Sequence, residues 1–237
     1  MTREHGPEVA RMFGRIAGWY DFLNHFLSLG LDISWRRELV QRLDLPSDGP
    51  CLALDLAAGT LDVSLEILRH CPACRVVGAD FCLPMLRQGQ SKLAARGITA
   101  VSPVQADGLT LPFAPDSFQA ATVAFGIRNI KPRQAAFAEL YRVLKPGGRL
   151  GVLEFGSGRQ RIWGGLYNFY LNRVLPGIAG MFSRDPKAYA YLAQTIRDFP
   201  PAWDLAQEMR QAGFSRVRYQ PLASGIVFLH WASKEPD

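Results

Sequence analysis

Between Cys51 and Phe155, short apolar runs alternate with helical stretches, and few folds accommodate such an alternation. The runs are "CLALDLA", "CRVVGAD", "ITAVSPVQAD", "SFQAATVAFG" and "GGRLGVLEFG". Between them lie "DVSLEILRH", "LPMLRQGQSKLAAR" and "RQAAFAELYRVL", with apolar residues at helical spacing. Parallel strands need long crossovers, usually helices. The alternation therefore predicts an α/β fold, a mostly parallel sheet wound on both faces by helices. Ligands of such sheets bind beyond the carboxyl ends of the strands, near the switch point. The residues that follow the strands are thus the candidate site: Asp55 to Asp62, Asp80, Asp107, and Phe125 to Asn129.

The flanks read differently. "RMFGRIAGWYDFLNHFLSLG" places Met12, Phe13, Ile16, Ala17, Phe22, Leu23, Phe26 and Leu27 at helical spacing, and Gly30 closes it. Ser34 is the expected N-cap of "SWRRELVQRL". After Phe155 an aromatic, basic, glycine-rich region precedes the helix "AWDLAQEMRQAG". "FSRVRYQPL" and "SGIVFLHWAS" predict a terminal antiparallel hairpin on the sheet edge. A chain of 237 residues, 48% hydrophobic, suits one domain with a sizeable core. We divide that domain into a helical cap (1–45), a cofactor-binding core (50–156), a lid or insertion (157–200), and a terminal helix and hairpin (201–237). "MTREHGPEVA" has no apolar signal region, and the longest uncharged run, Tyr219 to Ser233, is too short to cross a bilayer. A cytoplasmic protein is expected.

Cys51, Cys71, Cys74 and Cys82 read as reduced thiols. Cys71 and Cys74 form a lone C-x-x-C beside His70, with no second ligand pair for zinc, so a helix end turning through Pro72 into a strand is expected. Charge is uneven: residues 128–187 hold eleven Lys/Arg and three acidic residues. That stretch suits either an anionic partner or a solvated basic face.

The first loop selects the ligand class. A dinucleotide site wants G-x-G-x-x-G, so that backbone can approach a pyrophosphate. Here the loop reads Ala58-Gly59-Thr60-Leu61-Asp62, and no G-x-x-x-x-G-K-[ST] occurs. Acidic residues stand at successive strand ends instead. Asp80 suits ribose hydroxyls and Asp107 an adenine amino group. An adenosine without phosphates fits this pattern, and S-adenosyl-L-methionine is one such ligand.

The chain resembles the UbiE/MenG family of quinone-biosynthesis C-methyltransferases over about Val9 to Lys234. The segment "YDFLNHFLSLGLDISWRR" is similar to its Y-D-x-x-N-x-x-x-S-x-G and W-R/K pattern, and "DFCLPML" to its D-x-x-x-x-M-L. "QADGLTLPF", "FGIRNI", "VLKPGGRLGVLEF" and "AYLAQTIRDFP" follow in the family order. "LKPGGRL" is common to many methyltransferases; "YDFLN" with "FGIRN" is far more specific. The resemblance implies a Rossmann-like class I methyltransferase, S-adenosyl-L-methionine as donor, and a prenylated quinol as acceptor. It implies donor contacts at Gly59, Thr60, Asp80, Ala106 and Asp107. Where the family usually reads G-G-T-G-D, this chain has Leu61, which either crowds the methionine moiety or points into the core.

Methylating a ring carbon is a displacement at a sulfonium methyl by an electron-rich quinol. The protein must align, exclude water and stabilise a phenolate. Arg128 is expected to hold that phenolate, with Asn129 orienting the hydroxyl. Tyr20, Asp21, His25 or a water is the expected proton acceptor. A salt bridge at a helix start is the plainer role for Arg128, and His230, inside a strand, is expected to be structural. Arg161 to Phe182 is expected to rest on anionic lipid. Demethylmenaquinol is the favoured acceptor, a ubiquinone benzoquinol precursor the alternative. Another small aromatic, a nicotinamide-dependent oxidoreductase and a non-catalytic RNA- or lipid-binding module are weaker rivals. No nucleic acid is expected as partner, and an oligomer is compatible with everything above.

Overall fold

A computed structural model describes residues 7, 9–15, 25, 28, 30–46, 49–156, 191 and 194–236. Tyr20, Asp21 and the expected lipid contact Arg161 to Phe182 lie outside them, as does most of the expected lid.

The expected alternation forms one seven-stranded sheet. In chain order the elements are α1 (Leu31–Gln41), β1 (Cys51–Leu56), α2 (Asp62–His70), β2 (Cys74–Asp80), α3 (Leu83–Ala95) and β3 (Val101–Gln105). They continue with β4 (Phe118–Ala124), a 3-10 turn (Ile127–Asn129), α4 (Arg133–Val143), β5 (Leu144–Phe155), α5 (Ala202–Gln211), β6 (Ser215–Leu222) and β7 (Val227–Ser233). The strand order is β3-β2-β1-β4-β5-β7-β6. Strands β1 to β5 are mutually parallel, and β7 runs antiparallel to both β5 and β6. The expected hairpin is therefore present, with its second strand inserted against β5. The order reverses between β1 and β4, so a cleft opens beyond their carboxyl ends.

Apolar residues cover both faces. Leu54, Leu56, Val123, Phe137, Leu140 and Met209 join α4 and α5 to one side. Trp35, Leu39, Leu61, Ile67, Leu86 and Leu93 join α1, α2 and α3 to the other. A Cβ on Gly151 would lie 2.6 Å from Leu39 Cδ1, so α1 can pack this closely on β5 only over glycine.

Two local expectations need correction. Helix α1 starts at Leu31 with Gly30 as its N-cap at φ 77°, and Ser34 lies inside it, its hydroxyl donating to Leu31 O at 2.7 Å. A left-handed residue is nearly free for glycine, and so the helix begins one turn early. The cysteines are not all reduced: Cys51 and Cys74 form a disulfide. They are direct register partners at the starts of β1 and β2. Cys71, still a thiol, donates to Pro46 O at 3.2 Å. The C-x-x-C does lie where α2 ends and turns into β2.

The basic stretch is largely neutralised where it is described. Arg128, Arg133, Arg142 and Arg149 pair with Glu154, Glu208, Glu139 and Asp44. Among the described residues, no helix is long and apolar enough to cross a membrane.

Candidate active site

The cleft holds a cavity of about 460 Å³. Its floor is made by the loops after β1 and β4. A Cβ on Gly126 would lie 2.3 Å from Ala57 Cβ, so these loops meet only because residue 126 lacks a side chain. Phe13 and Ala10, in the helical residues 9–15, close one wall and pack on Cys82 and Met85.

The β1 loop is held by carboxylates. Asp55, 1% exposed, accepts from Ser64 Oγ at 2.7 Å and from Thr122 Oγ1 at 2.9 Å. Burial pushes its pKa up to about 6, against the pull of those hydroxyls. Asp55 is thus a brace between β1, α2 and β4, and it does not line the cavity. Asp80 does. Its Oδ2 accepts from Gly59 N–H and its Oδ1 from Cys82 N–H, both at 2.7 Å. Burial holds its carboxyl above the usual range, although these backbone amides oppose the shift. A carboxylate has about four acceptor positions, so with the Phe81 amide also acting on it one is left for a donor from the cavity.

Gly59, Ala106 and Asp107 also line the cavity. Gly59 sits at φ 54°, which lets its N–H reach Asp80. Ala106 N–H donates to Asp80 O at 3.0 Å, which ties the β3 end to the β2 end. Asp107 Oδ1 accepts from Leu109 N–H at 2.9 Å, and the side chain is exposed at the rim. Thr60 differs: it is 2% exposed, beneath the loop, and not among the lining residues.

Leu61 resolves the choice left open by its loop. It is fully buried at φ 71°. Its side chain covers Gly78 and Gly89, whose added Cβ atoms would lie 2.4 and 2.6 Å from it. Leu61 therefore fills a hollow between β2 and α3 and points into the core.

The expected phenolate-holding role does not match where Arg128 lies. Its Nη1 sits 2.6 Å from Glu154 Oε1 and donates to Phe125 O at 2.5 Å. The guanidinium lies 5.5 Å from the Phe155 ring centroid, is buried, and does not line the cavity. Glu154 is 1% exposed on β5, and a buried carboxylate demands a counter-charge there. The salt bridge at a helix start is thus what the 3-10 turn displays. The lone Glu in the apolar run "GVLEFG" was the sequence signal for it. Asn129, next in the turn, does face the cavity. Its Oδ1 accepts from Tyr191 Oη at 3.2 Å, a partner to which the sequence by itself assigns no role. Lys131 stands at the cavity mouth.

His25, one of the expected proton acceptors, is held without lining the cavity. Its Nδ1 lies 2.7 Å from Asp32 Oδ2, within ion-pair reach but without hydrogen-bond alignment. Burial acts to raise the Asp32 pKa, but Arg36, Ser28 and His25 outweigh it and hold the carboxyl below its usual range. Arg36 continues 3.7 Å to Asp62, and Asp62 meets Lys92 at 2.6 Å. His230 is structural as expected: buried, its Nε2 2.9 Å from Ala202 O, and its pKa lowered to about 4 by burial.

Known proteins share this fold. The fold is similar to a SAM-dependent methyltransferase from Aquifex aeolicus, at TM-score 0.61 and 14% identity over 84% of this chain and 89% of that one. It is also similar to the [4+2]-cyclase SpnF, at TM-score 0.66 and 19% identity over 86% and 81%. These likenesses establish the fold. In sequence, a demethylmenaquinone methyltransferase of Thermus thermophilus is 45% identical over 220 residues, 92% of this chain and 98% of its own. A ubiquinone/menaquinone biosynthesis C-methyltransferase UbiE of Geotalea daltonii is 40% identical over 98% of both. The pattern of one family matches residues 1–234, and with these relatives it shows that the chain belongs to the ubiE/COQ5 methyltransferase family.

Proposed function

We propose that the protein transfers a methyl group from S-adenosyl-L-methionine to a ring carbon of a prenylated quinol, demethylmenaquinol before any benzoquinol. One observation supports the donor most directly. The cavity joins carboxylates at the ends of β2 and β3 to a tight β1 loop and has no phosphate-binding glycine run. Family membership and the names of the relatives support the acceptor. Bound here, the donor supplies a sulfonium methyl electrophile.

The chain's own residues then have distinct tasks. Asp80 and Asp107 accept hydrogen bonds from the donor's hydroxyl and amino groups. Phe13, Met85 and Ile130 give the adenosine apolar walls and exclude water. Asn129 faces the acceptor oxygen. Arg128 and Glu154 act from beneath, by fixing the turn that presents Asn129. A water, Tyr20 or Asp21 is the acceptor we assign to the hydroxyl proton, since His25 is held at Asp32 and does not line the cavity.

Methyl transfer should be followed under reducing conditions with labelled donor. Short-tailed naphthoquinol and benzoquinol are the competing acceptors, and NAD binding is the control. Label appearing on the naphthoquinol at the higher kcat/KM is the expected result. Label only on a benzoquinol would reassign the acceptor. Saturable NAD binding with no donor binding would reject the functional class.

Leu61→Gly separates the loop from the chemistry. Losing a buried leucine costs about 3–5 kcal/mol, and relief of the left-handed residue returns about 1–2. A net loss of roughly 1–4 kcal/mol is expected in denaturant unfolding. Donor affinity should stay within about threefold, because the side chain never reaches the cavity. Tighter donor binding by the glycine variant would show that Leu61 obstructs the site.

A further inference from the structure

Asn129 is the polar side chain that the turn after β4 presents to the cavity, and what orients it comes from far along the chain. Tyr191, 62 residues later, donates its hydroxyl to Asn129 Oδ1 at 3.2 Å. The tyrosine is half-buried. Burial holds its phenol above the ordinary value while the nearby Arg128 charge pulls the other way, and the group stays protonated at neutral pH. A protonated phenol has one hydrogen to give, and the carboxamide has one oxygen to receive it.

In that bond the amide oxygen is the atom engaged by Tyr191. Oxygen and NH₂ project in different directions from the carboxamide carbon. With the oxygen held by Tyr191, the NH₂ is left to the cavity as a donor. Turned over, the same amide would present oxygen lone pairs to the reacting hydroxyl. Negative charge grows on that hydroxyl as its proton leaves. A fixed donor stabilises such charge, while an acceptor repels it. We propose that Tyr191 is a positioning residue that locks the Asn129 carboxamide with its NH₂ toward the acceptor oxygen, a proposal that rests on the quinol reading above.

A double-mutant cycle tests it. Steady-state methyl transfer is measured for wild type, Tyr191→Phe, Asn129→Ala and the double variant. The acceptor is a reduced naphthoquinol with a short prenyl chain and a free neighbouring ring carbon. Losing one orienting hydrogen bond should lower kcat about tenfold in Tyr191→Phe, with KM for donor and quinol within about twofold. Asn129→Ala should lose about a hundredfold, and the double variant should be no slower than Asn129→Ala. Asn129→Asp keeps the shape and the tyrosine bond but presents a carboxylate oxygen, so it should be at least as slow as Asn129→Ala. Additive losses, an unchanged kcat in Tyr191→Phe, or a fully active Asn129→Asp would each overturn the proposal. A lowered thermal midpoint with unchanged kcat would make Tyr191 a packing residue only. A wild type inactive on every quinol would reject the functional reading and this proposal together, whereas an active wild type with additive losses rejects the proposal alone.

Discussion

Glu154→Ala is expected to destabilise the fold by about 3–5 kcal/mol, because it strands a buried guanidinium. Arg128 and Glu154 have side chains only 3% and 1% exposed, 2.6 Å apart. Glu154 Oε1 also accepts from Phe155 N–H at 2.9 Å, so the carboxylate braces both the pair and the β5 end. Arg128 Nε already makes no hydrogen bond among the described residues, leaving the guanidinium few other acceptors. Replacing both partners with apolar residues of similar volume should recover most of the loss, since a matched apolar pair carries no desolvation debt. Urea unfolding of the two variants beside wild type measures both. A Glu154→Ala loss below about 1 kcal/mol would show that water reaches Arg128. The double variant should still be a poor enzyme, because the turn that carries Asn129 would lose its anchor.

Asp80→Ala should weaken donor binding by about a hundredfold or more. The carboxylate serves two masters: it accepts from Gly59 and Cys82 backbone amides, and it offers its remaining lone pair to the cavity. Hydrogen bonds to a charged group contribute about 1.5–3 kcal/mol each, so losing the group from loop and ligand together is a large change. The pH dependence has a defined sign. Burial raises the Asp80 pKa in the free protein, and a ligand hydroxyl donating to it favours its ionised form. Donor affinity should therefore be full well above that raised value and fall as pH is lowered through it. This loss should begin at a higher pH than an ordinary carboxylate would give. Asp80→Asn should be weak and nearly flat over the same range. Calorimetric titration across pH decides it; a wild-type affinity that rises toward acid would mean that Asp80 binds the donor in its neutral form.

Particular residues show where a one-dimensional reading succeeds. The β-α alternation was legible because strand and helix periodicities are local. Asp80 and Asp107 were legible because strand ends are recognisable from where apolar runs stop. The structure puts both on the cavity. Thr60 and Asp55 share the same loop region, yet lie beneath it. A loop's sequence does not say which of its side chains turn inward. Leu61 was undecidable for the same reason, until Gly78 on β2 and Gly89 on α3 are seen to leave the hollow it fills.

The sequence by itself determined the layered α/β architecture, the absence of a phosphate loop and the acidic strand ends. These follow from short-range pattern and from residue chemistry. Only the tertiary structure decided the Cys51–Cys74 bond, the burial of Arg128 against Glu154, and the contact of Tyr191 with Asn129. Each joins residues from elements that are neighbours in space alone. Cys51 and Cys74 face each other through the β1–β2 register, and Arg128 meets Glu154 because β5 lies beside β4. Register and crossover are set by the packing of both sheet faces at once, a property of the whole core that no single stretch of the chain contains.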